Sequence, residues 1–327
     1  MQFNYSDSRE YMKRAGTSRM PPLMISAAIT GGIQGKELSK ALPETPEEQA
    51  QEAQRCYEAG AVMVHIHARN PERGYATPSR RRDDYDEVNH LIRQRCPDLI
   101  VDNTSGGGCG LTLEERISSL DALPEVSDID MGPFAFAMKL RKRAAPLAGR
   151  DDDEEIDELL GITVGETELR ASMMNERGVG ITMALFHTGH WSMVDNLIRK
   201  GLVKPPYNFI FFLGMSSGAL PTPAALLDFV RDAPQPSNAF VMAVGRHDLP
   251  LVTMSTLMGM HAMVGLETNL YVREGVLADS NARIVERTVR IARELGRDIA
   301  TPAQAREMLG LPKQPRQYPA PVRALAA

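Results

Sequence analysis

The chain has 327 residues, 43% of them hydrophobic and 24% charged, and a formal net charge of -5. These fractions are typical of a folded globular protein, and the length suits one large α/β domain. The net charge gives no reason to expect a nucleic-acid partner, and no run of about 18 apolar residues predicts a membrane span. The polar N-terminus favours no secretory signal, and three cysteines without metal-like spacing favour a reducing, cytoplasmic location.

The first elements of the chain are strongly marked. Residues 1–20 have no period, and we expect them to form an arm. Residues 23–29 are an apolar run of the kind found in buried strands, and the run ends in Thr30-Gly31-Gly32. Thr45-Pro46-Glu47-Glu48 then predicts the start of a helix, with Thr as N-cap, Pro in the first position and Glu in the third. That helix is expected to end at Gly60, just before a second apolar run.

The alternation of strand and helix continues along the chain. We expect an acidic run, 151–155, to be a solvated loop or helix face. Eight strands, each followed by a helix, predict a parallel sheet with right-handed crossovers and hence a closed (β/α)8 TIM barrel. A doubly wound open sheet is the competitor, but no Gly-x-Gly-x-x-Gly follows the first strand. The predicted domain covers residues 21–312, with the arm at 1–20 and a C-terminal tail at 313–327. The remaining predicted strands are 61–67, 99–103, 126–131, 180–186, 209–213, 240–244 and 261–266.

Two histidines, His65 and His67, end the second predicted strand. Residues two apart in a strand share one face, so both imidazoles point the same way. A catalytic zinc site usually has three protein ligands and one open position, and Glu267 after the eighth strand can supply the third ligand at the same barrel mouth. The first strand lies between the second and the eighth. The alternative is one packed and one solvated histidine.

Other polar residues also collect at the predicted strand ends, where a barrel enzyme binds its substrate. Arg246 either contacts a phosphate group of a bound ligand or forms a rim salt bridge. Gly106 and Gly107 either permit close approach of an anionic ligand or form a tight turn. His190 either contacts substrate or packs at the rim. The further strand-end candidates are Thr30, Gly31, Asn103, Thr104, Ser105, Asp130 and His187.

Seven short motifs, in order over roughly residues 20–312, resemble those of the β-keto acid cleavage enzymes. They are Thr30-Gly31-Gly32, His65-Ile66-His67-Ala68-Arg69-Asn70-Pro71, Asn103-Thr104-Ser105-Gly106-Gly107, Met131-Gly132, Thr188-Gly189-His190, Gly245-Arg246 and Gly265-Leu266-Glu267-Thr268-Asn269-Leu270-Tyr271. The resemblance implies a zinc-dependent barrel that converts a β-keto acid and acetyl-CoA into acetoacetate and a new CoA thioester. It also implies a homo-oligomer, a tetramer or a dimer.

The resemblance assigns roles to single residues. His65, His67 and Glu267 match the zinc ligands, and Thr104 and Ser105 fall in the segment that binds the carboxylate of the keto acid. With Asp130, these two hydroxyl residues form the predicted catalytic set. The predicted substrate-binding residues are Thr30, Gly31, Ile33, Asn103, Gly106, Gly107, Arg246 and Thr268.

Three positions depart from the family pattern. Met263 stands where the family has an arginine, and Thr268 where it has an aspartate. Methionine offers no cationic fork, and threonine cannot be a carboxylate base. Ile33 stands where members acting on amino-bearing substrates have an acidic residue, so we expect a substrate without an amino group.

The departures leave the reaction open. A zinc-dependent lyase or hydrolase that uses no coenzyme A, or a non-catalytic zinc-bearing binding protein, are the alternatives to the family reaction. If a base is still required at this site, one of several strand-end side chains must supply it. The candidates are Asp130, Asp102, Asp248, His187 and His261.

Overall fold

Eight parallel strands form a closed barrel in the computed structural model, which describes residues 4–15, 19–106, 108 and 110–321. The first strand pairs with both the second and the eighth barrel strands, and the eight strands follow one another around the barrel in chain order. The predicted (β/α)8 barrel is therefore confirmed. The barrel strands are β1 (Ile25–Ala28), β2 (Met63–Ile66), β3 (Ile100–Asn103), β4 (Val126–Asp130), β7 (Gly180–Leu185), β8 (Tyr207–Leu213), β9 (Ser237–Ala243) and β10 (His261–Val264).

Helices surround the barrel, and local sequence fixes their ends. The side chain of Thr45 accepts a hydrogen bond from the backbone amide of Glu48, and Glu48 reciprocates, so the predicted capping box is present. Gly60 ends the same helix in the left-handed conformation that glycine tolerates best. The helices are α1 (Ser8–Ala15), α2 (Pro46–Ala59), α3 (Arg82–Arg95), α4 (Leu113–Ile117), α5 (Val164–Arg177), α6 (Trp191–Arg199), α7 (Pro223–Asp232), α8 (Asp248–Leu257), α9 (Asn281–Glu294) and α10 (Pro302–Leu309).

Two antiparallel hairpins, neither of which the sequence patterns predict, interrupt the alternation. The larger one pairs β5 (Phe134–Leu140) with β6 (Glu154–Leu160) between barrel strands β4 and β7. The acidic run is solvated as expected, but its last two residues belong to β6 and not to a loop or helix. The smaller hairpin pairs β11 (Tyr271–Arg273) with β12 (Val276–Leu277).

The described parts of both termini pack on the barrel. Residues 8–15 of the expected arm form α1, and the buried Tyr5 hydroxyl accepts a hydrogen bond of 3.0 Å from the amide of Ala239. In the tail, the guanidinium of Arg93 donates to the carbonyl of Arg316, 2.9 Å away, and the Tyr318 ring is buried. The expected arm therefore contains a helix that its sequence did not predict, and it packs on the barrel through Tyr5.

Apolar residues of the barrel strands are buried on both faces, as expected for a parallel sheet. One set packs against the surrounding helices and includes Ile25, Val64, Val101 and Val241. The other set fills the barrel interior and includes Met24, Met63, Ile100, Phe240 and Met263. Among the described helices, none is both long and apolar enough to cross a lipid bilayer.

Candidate functional site

Three of the predicted residues meet at the carboxyl end of the barrel. His65 lies in β2, His67 follows it, and Glu267 follows β10 on the other side of β1. The Nε2 atoms of His65 and His67 are 3.3 Å apart. Oε1 of Glu267 lies 3.5 Å from Nε2 of His67, and Oε2 lies 4.0 Å from Nε2 of His65. The prediction that one barrel mouth brings these side chains together is confirmed.

The donor set fits a zinc ion. Two ligands about 2.0–2.1 Å from a tetrahedral zinc lie roughly 3.3 Å apart, which is the separation of the two imidazole nitrogens. Nδ1 of His65 lies 2.9 Å from the carboxylate of Asp102, a contact that keeps a proton on Nδ1 and directs Nε2 toward the position a metal ion would take. Oε2 of Glu267 is buried and has no hydrogen-bond partner among the described residues.

Charge around the cluster favours a cation. Burial opposes protonation of His65, but the charges of Asp102 and Glu267 outweigh burial and raise its pKa to about 10. Burial would raise the pKa of Glu267, yet the two imidazoles lower it overall. The side chains of His65, Asp102 and Asp128 form a second possible metal-binding group, in which all three are buried. Both groupings share His65.

The loop after β1 holds Glu267 in position, and sequence reasoning missed most of its contacts. A methyl group on Gly31 would lie 3.0 Å from Cγ of Glu267, a tight contact that glycine avoids. The fully buried Arg69 donates to the carbonyl of Gly31. Gln34 donates from Nε2 to the carbonyls of Leu266 and Glu267, both at 2.9 Å. Arg69 lies in a recognised motif, whereas no sequence signal marks Gln34.

A cavity of about 210 Å³ opens beside the cluster. The three metal-ligand candidates line it, and so do six further predicted residues: Gly31, Ile33, Thr104, Gly106, Asp130 and Thr268. Asp128 also lines the cavity and was not predicted. The predicted Gly107 lies outside the described residues.

Four predicted residues do not line the cavity. Strand alternation turns Asn103 and Ser105 away from it when Thr104 faces it. The hydroxyl of Ser105 instead donates to the carbonyl of Asp128 and accepts a 2.6 Å hydrogen bond from Arg170.

The other three of these residues are engaged elsewhere or exposed. The Asn103 amide donates to the carbonyl of Ser119 at 3.5 Å, and the Thr30 hydroxyl donates to the carbonyl of Pro43. Arg246 is exposed and forms no ion pair with any described residue, so the rim salt bridge is not observed. Within the described residues, these positions support the cavity wall or lie outside it.

Asp130 is the candidate base that faces the cavity. Burial, followed by the neighbouring charge of Asp128, raises the pKa of Asp130 to about 6. A methyl group on Gly106 would lie 2.8 Å from Oδ2 of Asp130, so the glycine makes room for the carboxylate. A carboxyl group with a pKa near neutrality can accept and return a proton.

The other candidate bases are occupied or distant from the cavity. Asp102 contacts His65, and the fully buried Asp248 pairs with Arg287. His261 is the first residue of β10, at the end of the strand opposite to the mouth, and its Nδ1 accepts from the amide of Met24 at 3.1 Å. His261 as a base at this site is therefore wrong.

The two remaining candidate histidines, His187 and His190, lie at the rim. Nδ1 of His190 accepts a hydrogen bond of 3.2 Å from the amide of Phe186, and burial together with His187 lowers the pKa of His190 to about 4. The rings of His187 and His190 are 3.8 Å apart, and neither lines the cavity. These contacts match the packing alternative for His190.

All three departures from the expected family pattern, Ile33, Met263 and Thr268, line the cavity. Met263 is 2% exposed and adds an apolar surface where an arginine would carry charge. The hydroxyl of Thr268 is buried and has no hydrogen-bond partner among the described residues. A buried hydroxyl without a partner is costly, so this group is available to a bound ligand.

Comparison with known proteins identifies the family. The model of the β-keto acid cleavage enzyme family matches residues 22–311. The chain is 35% identical over 297 residues to the 3-keto-5-aminohexanoate cleavage enzyme of Fusobacterium nucleatum subsp. nucleatum, covering 90% of this chain and 100% of that protein. The enzyme of the same name from Acetoanaerobium sticklandii is 33% identical over 294 residues, again covering 90% and 100%.

A third relative differs in its named substrate. The 3,5-dioxohexanoate:acetyl-CoA acetone transferase of Paraburkholderia graminis is 27% identical over 299 residues, covering 88% of this chain and 96% of that protein. The resemblance seen in the motifs is thereby confirmed over almost the whole barrel. The chain belongs to the β-keto acid cleavage enzyme family.

Proposed function

We propose that the protein exchanges acyl groups between a β-keto acid and acetyl-CoA, giving acetoacetate and a new CoA thioester. In this exchange the bond between the α-carbon and the β-carbonyl carbon of the keto acid breaks, and the α-carbon bonds to the acetyl carbonyl carbon. The acetyl C–S bond also breaks, and the thiol sulfur takes the remaining acyl group. The names of the relatives, of which one includes acetyl-CoA, support this reaction class.

The convergence of His65, His67 and Glu267 is the observation that carries the proposal. These residues would hold a zinc ion, and zinc supplies Lewis acidity toward a carbonyl oxygen. Asp102 keeps His65 in the tautomer that the site needs.

Cavity-lining groups would bind and orient the keto acid. Thr104 and the backbone around Gly106 would bind its carboxylate, which fixes the bond that must break. Asp130 would accept and return the proton that moves during the exchange, because Thr268 cannot act as a base. The Thr268 hydroxyl would donate a hydrogen bond to the bound acid. Ile33 in the wall favours a substrate without an amino group.

The test is acetoacetate release from acetyl-CoA and a panel of β-keto acids by zinc-loaded protein. We expect turnover with at least one acid and none with His67→Ala, whose metal content is measured in parallel. Absence of turnover across the panel with zinc bound would reject the proposal. Calorimetric titration with acetyl-CoA then separates a lyase or hydrolase that uses no coenzyme A from the proposed transferase. The homo-oligomer implied by the resemblance stays a prediction, which light scattering can check.

A further inference from the structure

The cavity beside the metal-ligand cluster has two chemically different halves. The polar lining residues lie in or follow β1, β2, β3, β4 and β10, and they include the two histidines and the three carboxylates. The opposite half is apolar and is formed by β7, β8, β9 and the β5–β6 hairpin. Its main side chains are Phe134, Phe136, Phe186, Ile210, Phe212 and Met242.

The apolar half is densely packed with aromatic rings. The rings of Phe134 and Phe186 stack with centroids 3.9 Å apart, and those of Phe186 and Phe212 lie 5.3 Å apart. Met263 extends this apolar surface to β10. Apart from the two histidines, no cationic side chain lines the cavity within the described residues.

The hairpin is fixed in place from outside the cavity. Its strand β5 alternates, so Phe134, Phe136 and Met138 face the cavity while Ala135 and Ala137 face away. The backbone amides of Ala135 and Ala137 donate to the hydroxyls of Ser217 and Ser216, at 2.6 and 3.0 Å. The position of the apolar wall is thus fixed by hydrogen bonds from the β5 backbone to these two serines.

We infer that the substrate is a β-keto acid whose acyl chain is apolar, either alkyl or aryl, and not one that ends in a carboxylate or an ammonium group. This inference rests on the proposed function and names the substrate class for the same site. The polar half receives the carboxylate and keto group, which directs the rest of the molecule toward the aromatic wall. A charged chain end buried there without a partner would be strongly disfavoured.

The test compares four β-keto acids of equal or graded length with the zinc-loaded protein. Two carry ethyl and pentyl chains, and two carry chains of pentyl length that end in a carboxylate or an ammonium group. We expect kcat/KM for the pentyl acid to exceed that for either charged acid by about 100-fold or more. Equal or reversed preference would overturn the inference and leave the proposed function standing.

Binding is measured separately, so that a failed reaction does not hide the answer. Calorimetry of each acid with the zinc-loaded protein in the absence of acetyl-CoA is expected to give the same order of affinity. If no acid turns over, the proposed function fails, but tighter binding of the pentyl acid still supports the apolar site. If no acid turns over, equal or weaker binding of the pentyl acid overturns the apolar site as well.

A pair of variants on one hairpin locates the effect. Phe136→Ala removes part of the aromatic wall and is expected to lower kcat/KM for the pentyl acid about 10-fold or more, with a smaller loss for the ethyl acid. Leu159→Ala is the matched control, because Leu159 lies on β6 and is 72% exposed. Equal losses for both acids in Phe136→Ala, or the same selective loss in Leu159→Ala, would mean that the acyl chain of the substrate does not bind against this wall. Circular dichroism verifies that both variants fold.

Discussion

The carboxylate of Asp102 lies 2.9 Å from Nδ1 of His65, and the two residues are direct partners in the register of β2 and β3. Asp102 therefore reaches the side of the ring that faces away from His67 and Glu267. Such partners fix the tautomer of a metal-binding histidine and increase its basicity. The register makes this contact a fixed property of the barrel.

Asp102→Asn is expected to weaken zinc binding about 10-fold to 100-fold, because the amide cannot supply the negative charge that orients and polarises His65. The measurement is competition for zinc with a chelator of known affinity. Asp121→Asn is the control, since Asp121 pairs on the surface with Arg177 and is 48% exposed at its side chain. Equal zinc affinity of the Asp102 variant and the native protein would contradict a supporting role.

Asp130 is expected to make stability depend on pH. Its pKa is about 6 in the folded protein, above the ordinary aspartate value of 3.8, so the folded state holds the proton more tightly than the unfolded state. Its contribution to stability is complete below pH 3.8 and is lost as the pH rises toward 6. Asp130→Asn removes this loss, so at pH 7 the free energy of unfolding should gain about 3 kcal/mol at most from the removal of the ionised carboxylate.

Urea unfolding of the metal-free protein at pH 4 and pH 7 tests this expectation. The free energy of unfolding of Asp130→Asn, relative to the native protein, should increase between the two pH values. Asp121→Asn, on the surface, should show no such increase. A difference that stays constant or decreases would mean that Asp130 is ionised without penalty in the fold.

The barrel and its metal-ligand cluster could be predicted because the signals are local. The capping box at Thr45 and the spacing of His65 and His67 need only a few neighbouring residues, and parallel barrels collect strand ends at one mouth. The β5–β6 hairpin was missed, although Phe134, Phe136 and Met138 alternate with smaller or charged residues. A regular alternation of one helix after each strand leaves no place for a hairpin, so the two-residue period of β5 was not assigned to a strand.

The roles of polar residues were predicted less well, since each depends on side-chain direction. Thr104 faces the cavity, whereas alternation turns Ser105 into a contact with Arg170. The sequence marks Asp102 only as a candidate base, because its contact with His65 depends on the register between two strands. Gln34 contacts a backbone that is more than two hundred residues away in sequence, and no local pattern reveals such a contact.

Thr104 is expected to contribute to binding of the keto acid. Thr104→Val removes the hydroxyl and should lower kcat/KM for the preferred acid about 10-fold to 100-fold, the usual value of a hydrogen bond to a charged group. Thr104→Ser keeps the hydroxyl and is expected to retain most of the activity. Steady-state kinetics of acetoacetate formation measure both. A serine variant as weak as the valine variant would assign the loss to packing.

The hairpin wall is tied to the loop after β1 by a buried ionic network. The guanidinium of Arg143 contacts Glu37 at 2.6 Å and Glu44 at 2.8 Å, and these side chains are 1–4% exposed. Arg143→Met would leave the two carboxylates buried with fewer partners, and we expect a loss of about 3–5 kcal/mol in the free energy of unfolding.

Lys139→Met is the control, because Lys139 pairs with Asp153 at 3.2 Å and is 52% exposed, so its loss should stay below about 1 kcal/mol. Urea unfolding measures both, and limited proteolysis between β5 and β6 should be faster only in Arg143→Met. Similar stability of the two variants would mean that the network does not hold the wall.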